Sequence, residues 1–302
     1  RTSADVFTAI LPPGPENVGG TLMEILPGRV RLSFAHNVFT REFTSSLAFS
    51  TSGQIAQGFF SSDISLSGPL GPDPVELGSF SILYRRNPTT YTLGDTSQRL
   101  TNLIRLSCRG GAIVIDEDWV DAAAVAGGGD GETRFAARIA VGPEQANLGL
   151  AYLGIRAPSA DPQTAWSATA SAEPFQDWTL QAEGALGLDG ILTSRAFLFQ
   201  TEFDTPGLYV RGTAFSVGTY FPGDRQDSAG IELTHRFRVP AFSASASLRH
   251  AWDNVIGDPL VPTRIEDDLG LNLAVTPLAD GPTLRSTVQL SRDRHADLAL
   301  LD

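Results

Sequence analysis

The side chains with chemistry to offer are arginines and carboxylates. All 22 basic residues are arginine, against 34 acidic ones, and the absence of lysine is what the coding bias of a GC-rich genome produces. In the segments that alternate most cleanly, the polar row carries Arg134, Arg138, Arg236, Arg238, Arg249 and Arg285, set against Glu183 and Glu232. Residues two apart on an extended chain share a face. Arg236 and Arg238, or Arg134 and Arg138, therefore aim their guanidinium groups to one side. Where that side encloses water, rows of fixed positive charge favour anions. The competing arrangement pairs these arginines with loop or plug carboxylates in a structural lattice. Neither use makes or breaks a bond.

Sites for bond chemistry do not emerge. His36, His235, His250 and His295 are dispersed, and no pair has the i, i+4 spacing of a helical zinc site. His235 falls in an apolar row and reads as a packed or rim histidine. There is no nucleophile elbow, phosphate-binding loop or dinucleotide fingerprint. No catalytic residue and no metal ligand is assigned, and the chain reads as a non-enzyme. Cys108 has no mate for an intramolecular disulfide, and cysteine scarcity suits a protein that crosses an oxidising periplasm. Acidic residues gather in the expected connections: Asp116, Glu117, Asp118 and Asp121, then Asp253 and Asp258, then Glu266, Asp267 and Asp268. They read first as a solvated charged surface. Hard cations take such oxygen ligands, so a loop-bound Ca2+ bridging to lipopolysaccharide or a surface layer is the one ligand they suggest, although EF-hand spacing is missing.

What must position the arginines is a set of long strands. The hydrophobic content of 42% is too high for a disordered acidic chain, and no apolar run approaches the roughly 20 residues of a spanning helix. A net charge of −12 without a basic cluster argues against nucleic acid as a partner. The strongest periodicity is 2, the signature of strands with two different faces. Ile231, Leu233, Phe237 and Val239 oppose Glu232, Thr234, Arg236 and Arg238; Phe242, Ala244, Ala246 and Leu248 oppose Ser243, Ser245, Ser247 and Arg249. Strands are predicted over 133–141, 147–156, 164–173, 178–187, 192–203, 208–218, 228–239, 241–252, 266–276 and 283–291. Most have about 9–12 residues, where soluble strands have about 5–6 and tilted membrane strands about 9–11.

Connections provide an independent test. Segments 142–146, 174–177, 204–207, 239–241 and 277–282 are brief, and they interleave with the generally longer 117–132, 157–163, 188–191, 219–227 and 253–265. Only 188–191 departs from that alternation, and 117–132 reads as a long mobile loop. Short turns on one rim and longer loops on the other are the habit of membrane barrels. Phe175, Trp178, Tyr220, Phe221 and Trp252 lie at or just past strand ends, where an aromatic girdle would sit. In the first part, residues 43–51, 75–86 and 110–117 read as strands and 30–34 alternates well, while 11–17 and 69–74 are Pro-rich breaks.

On the strand patterns Gly230-Ile231-Glu232-Leu233-Thr234-His235-Arg236-Phe237 and Phe242-Ser243-Ala244-Ser245-Ala246-Ser247-Leu248, the chain resembles porin-like bacterial outer-membrane β-barrel proteins. The resemblance is architectural, strong over 133–291 and loose over 30–117, and carries no family residue with a named role. It implies an all-β, antiparallel transmembrane barrel of about 16 strands in the bacterial outer membrane. Residues 1–29 are expected to form an extension or linker and 30–302 the barrel, with about six further strands in the first part favoured and a plug or periplasmic piece in part of 30–132 as the alternative. The expected function is passive diffusion of small hydrophilic solutes or ions with a mild anion preference, the wet-row residues named above lining the pore. Expected partners are the bilayer, lipopolysaccharide or a surface layer, and a homo-oligomer or larger envelope complex. Two other readings stand beside it: a structural barrel anchoring or docking such a layer or assembly, and a soluble β-sandwich binding module. A chain opening on Arg1 and ending Leu298-Ala299-Leu300-Leu301-Asp302, without a terminal aromatic, fits a processed or partial sequence.

Overall fold

The computed structural model describes residues 2–11, 28–37, 42–69, 76–129, 131–143, 145–223, 226–255, 262–276 and 282–296. Among them there are eighteen strands in antiparallel sheet and no helix, so the all-β expectation holds and the count of about 16 is corrected upward. Two of the additional strands come from segments read as non-strand. The chain divides into two compact units: Arg1–Gln98, Leu106–Glu117 and Asp121–Phe135 in the first, Arg99–Arg105, Asp118–Val120 and Ala136–Asp302 in the second.

The first unit contains β1 (Thr2–Leu11), β2 (Gly28–Asn37), β3 (Glu42–Ile55), β4 (Gly58–Pro69), β5 (Glu76–Arg86), β6 (Thr89–Arg99), most of β7 (Arg105–Glu117) and β8 (Val120–Gly129), and the start of β9 (Glu132–Val141). β2 to β9 follow one another in sheet order. β1 pairs with β2 in register Ala9↔Val30, inside the stretch read as extension or linker. The Pro-rich breaks lie largely outside the described residues, at 12–17 and 70–74.

Residues 117–132 do not form a long loop. They make a two-residue turn at 118–119, the strand β8, and a second short connection to β9. The sequence hides β8 because Val120-Asp121-Ala122-Ala123-Ala124-Val125-Ala126-Gly127 alternates weakly and ends in glycines of low strand propensity. Pairing rescues it. A Cβ on Gly110 of β7 would stand 2.0 Å from the Ala126 carbonyl oxygen and 2.4 Å from the Gly127 Cα, so β7 and β8 meet backbone against backbone. Two acidic clusters are likewise relocated into strands: Asp116 and Glu117 lie in β7 and Asp121 in β8, while Glu266, Asp267 and Asp268 lie in β17.

The second unit is a meander. After the end of β9 come β10 (Ala146–Arg156), β11 (Gln163–Phe175), β12 (Trp178–Asp189), β13 (Leu192–Asp204), β14 (Leu208–Val217), β15 (Ser228–Val239), β16 (Phe242–Trp252), β17 (Thr263–Val275) and β18 (Leu284–Ala296), each paired with the next. The ten predicted strands match these closely. The turns 176–177, 205–207 and 240–241 define a short rim, and 157–162, 218–227 and 253–262 a long rim. The two-residue connection 190–191 is the one tight turn on the long rim. Gly190 there adopts φ 59°, the left-handed conformation that a glycine takes without steric cost.

Alternation along each strand separates two faces. On β9, Phe135, Ile139 and Val141 are exposed while Ala136 and Ala140 are buried beside Arg134 and Arg138. Leu148, Leu150, Trp166, Leu186, Phe197 and Phe199 continue the exposed apolar rows on β10 to β13, and Ile231, Leu233, Phe237 and Val239 do so on β15. Leu148 is 65% exposed and Trp166 60%. These rows are not paired into a dry core, which removes the soluble-sandwich reading. Apolar area left open on this scale marks a surface that meets another apolar phase or partner.

Gly110→Val is expected to force β7 from β8 and to cost on the order of 2 kcal/mol or more. Thermal unfolding followed by circular dichroism should show a lowered midpoint, whereas Gly129→Val, where a Cβ meets nothing within 4 Å, should shift it far less.

Candidate functional site

The polar face of the second unit is built around one carboxylate. Glu183 projects from the middle of β12 on the same face as Gln181, as its place in the polar row requires, yet only 2% of it is exposed. The covering element is the connection 100–104. Thr101 Oγ1 donates to Glu183 Oε1 at 2.5 Å, and the backbone N–H groups of Asn102 and Leu103 donate to Oε2 at 2.9 and 3.2 Å. Ser167 Oγ on β11 donates to Oε1 at 2.5 Å. Four donors on an acceptor-only group make a charge-assisted latch.

The loop is tied internally as well. Leu100 and Thr101 N–H both donate to the Ile104 carbonyl at 3.0 Å, and Ile104 N–H donates to Thr101 Oγ1 at 3.0 Å. Asn102 Nδ2 reaches Gln181 Oε1 at 3.3 Å, and Arg138 Nη1 donates to the Leu100 carbonyl at 3.1 Å. A burial this complete is tolerable for a carboxylate because its acceptor positions are filled. Glu183 is thus corrected from a water-lining residue to an internal anchor, and Arg138 holds the same loop.

Leu100, Leu103 and Ile104, the apolar residues of this loop, are buried to within 1%. Phe221, from the connection 218–227, is 0% exposed, and a Cβ on the neighbouring Gly223 would stand 2.5 Å from the Leu103 carbonyl oxygen. Two connections therefore fold over the polar face. Phe221 is corrected out of the aromatic girdle: its loop turns inward, and burial removes it from any lipid interface. Of the other proposed girdle residues, Phe175, Tyr220 and Trp252 are exposed and Trp178 is half-buried. Phe175 and Trp178 stack at 5.7 Å between centroids at the short rim, Trp252 lies 5.5 Å from the His250 ring near the long rim, and Tyr220 is exposed beside Phe221.

The remaining arginines fall into two groups. Arg236 and Arg238 on β15 and Arg285 on β18 converge on a recess of about 510 Å³ near the short rim, shared with Asp204, Tyr209, Ser243, Ser245, Asn272 and Thr287. The Arg236 guanidinium stands 5.0 Å from the Tyr209 ring centroid, a cation–π contact. Among the described residues none of these three arginines has a carboxylate within ion-pair distance. Arg249 instead lies between Glu232, at 3.7 Å, and Glu266, at 3.5 Å, as in the lattice arrangement. Arg134 pairs with Glu132 at 2.8 Å. The structure thus splits the predicted set: 236, 238 and 285 come together, 232 and 249 neutralise each other, and 138 and 183 serve the loop.

Sequence reasoning passed over Thr101, Asn102, Ser167 and Tyr209. The first two lie in a short connection whose only local mark is the polar pair Thr101-Asn102 between apolar residues. Ser167 and Tyr209 occupy polar-row positions of β11 and β14, and could have been found by extending the alternation used for β15.

Glu183→Ala would leave the Thr101 and Ser167 hydroxyls and two loop N–H groups without their acceptor, at a cost of about 2–4 kcal/mol. Hydrogen exchange of the 100–104 amides should accelerate severalfold or more. Unchanged protection would show that the apolar contacts alone hold the loop.

Among solved structures, the chain is similar to Pseudomonas aeruginosa OccK2 (OpdF) in complex with glucuronate, at 15% identity over 84% of this chain and 87% of that one, with a TM-score of 0.51. It is similar to Acinetobacter baumannii OccAB2 at 11% identity, covering 89% and 91%, TM-score 0.51. It is also similar to Pseudomonas aeruginosa OccD3 (OpdP) at 13% identity, covering 88% and 82%, TM-score 0.50. No family model and no curated protein matches the chain. At such identities the likeness is one of fold: the chain shares the antiparallel β architecture of porin-like outer-membrane proteins.

Proposed function

We propose that the sheet closes into a barrel in the bacterial outer membrane and passes small hydrophilic solutes, with a mild preference for anions. The observation that carries this reading is the division of the faces. Long strands expose rows of leucine, phenylalanine and isoleucine on one side and hold arginine, glutamate, serine and threonine on the other. In a bilayer every backbone polar group must find a partner inside the protein, and closed sheet meets that demand. The apolar rows then meet acyl chains and the polar rows surround water. Strands of 10 to 14 residues have the reach to cross.

Selectivity comes from the recess of Arg236, Arg238 and Arg285, where three guanidinium groups outnumber the one carboxylate of the lining, Asp204. The solute recorded with OccK2, glucuronate, is a sugar acid. That supports polar organic anions as the class for this chain too. The loop 100–104 and Phe221 narrow the water-filled space from the polar face, and their buried apolar cluster also favours the second reading, a structural barrel whose lumen is shut.

Planar-bilayer recordings separate the two. The channel reading expects steady conductance with anions more permeant than cations, and the triple variant R236Q/R238Q/R285Q should bring the permeability ratio to unity or below. Cation selectivity in the native chain would remove the arginine mechanism, and absence of conductance would favour the shut barrel.

A further inference from the structure

The apolar face of the second unit changes character at its long rim. Moving along that face from the short rim, β16 presents Phe242, Ala244, Ala246 and Leu248, β17 presents Val275, Leu273, Leu271 and Leu269, and β18 presents Leu284, Val288 and Leu290. The next positions on the same face are His250, Asp267 and Arg292, and beyond them stand Trp252, Ile265 and Arg294. Arg156 at the end of β10 and Arg195 near the start of β13 share this face and this rim, the latter opposite Leu186 in register. The opposite rim of the face carries Phe175, Trp178, Phe203 and Phe237 instead.

Part of this cluster is fixed by ion pairs. Arg294 Nη2 donates to Asp267 Oδ2 at 2.5 Å, and Asp267 Oδ1 lies 2.6 Å from His250 Nδ1. Arg292 stands opposite Asp267 in register. On β16 to β18 the guanidinium groups of Arg292 and Arg294 and the His250 imidazole thus gather around the single carboxylate of Asp267, while Arg156 and Arg195 add charge to the same face on other strands. All four arginines are exposed. An arginine at such a boundary lays its aliphatic stem along the apolar surface and keeps its fork free, a geometry that suits bidentate contact with phosphate.

We propose that this belt takes the phosphate groups of a phosphorylated glycolipid in the leaflet at the long rim. The inference rests on the reading that the apolar face meets lipid, and it adds which headgroup chemistry is held and where. Charge complementarity selects the occupant: a phosphomonoester brings the negative charge that the arginines leave unmatched, and its acyl chains continue over the leucine rows below.

The test uses the full chain folded in dodecyl maltoside micelles, with lipid retention read by native mass spectrometry. Diphosphorylated lipid A should be retained about tenfold or more over the same lipid after removal of its phosphates, since arginines near a charged lipid surface attract its phosphates. R292Q/R294Q should lose a comparable factor for the phosphorylated lipid while still migrating as a folded species before boiling. Equal retention of both lipids by the native chain, or undiminished retention by R292Q/R294Q, overturns the proposal. Should the double variant not fold, R156Q/R195Q and the lipid comparison on the native chain decide it. A chain that stays soluble without detergent and holds neither lipid would overturn the membrane reading itself, a result distinct from phosphate-independent lipid binding.

Discussion

The structure depends on one constraint: each strand must satisfy its backbone donors and acceptors sideways, through its neighbours, while its two faces meet different surroundings. That is why β10 to β18 pair in unbroken sequence order, and why strands with poor intrinsic propensity still form. β8 shows the strength of the effect. Its alanines and glycines offer little packing, yet the Gly110–Gly127 approach lets its backbone sit tightly against β7. Register then propagates along the sheet, since a shift by one residue would move every leucine to the polar side.

Within that frame the polar face is not a uniform wet surface. Its middle is occupied by a loop held at one buried carboxylate, and the leucines and isoleucine of that loop are buried on the polar side, as is Phe221 from the connection 218–227. Charge is therefore handled in three ways on one face. Glu183 is buried and fully hydrogen-bonded, Arg249 is balanced by two glutamates, and the group of Arg236, Arg238 and Arg285 outnumbers the single Asp204 in its recess. Only the last arrangement leaves a field for a passing solute to feel, and it sits where a short rim keeps the recess open.

The opposite face shows a comparable economy. Aliphatic and aromatic side chains run along it from the short rim, and the change to His250, Asp267 and Arg292 happens within a single step of the alternation on β16, β17 and β18, with Trp252, Ile265 and Arg294 beyond. A boundary that sharp, repeated on adjacent strands, marks a change of medium more clearly than any one residue does.

Much of this was legible in the residues alone. The apolar and polar rows of 231–239 and 242–248 gave strand identity, face and approximate ends, because period 2 is a local property written into adjacent side chains. They also assigned Arg236, Arg238 and Arg285 to a common face. What the sequence could not supply was which wet-row groups reach water. Glu183 and Arg285 look alike in their strands, and Glu183 is sealed by Thr101, Asn102 and Leu103, some eighty positions away. Phe221 looks like a rim aromatic until its loop is seen to fold inward, and β8 looks like a loop until its partner is known. The alternation of side chains fixed the two faces; the tertiary structure decided what covers each, because loop direction and buried hydrogen bonds depend on contacts between residues distant in the chain.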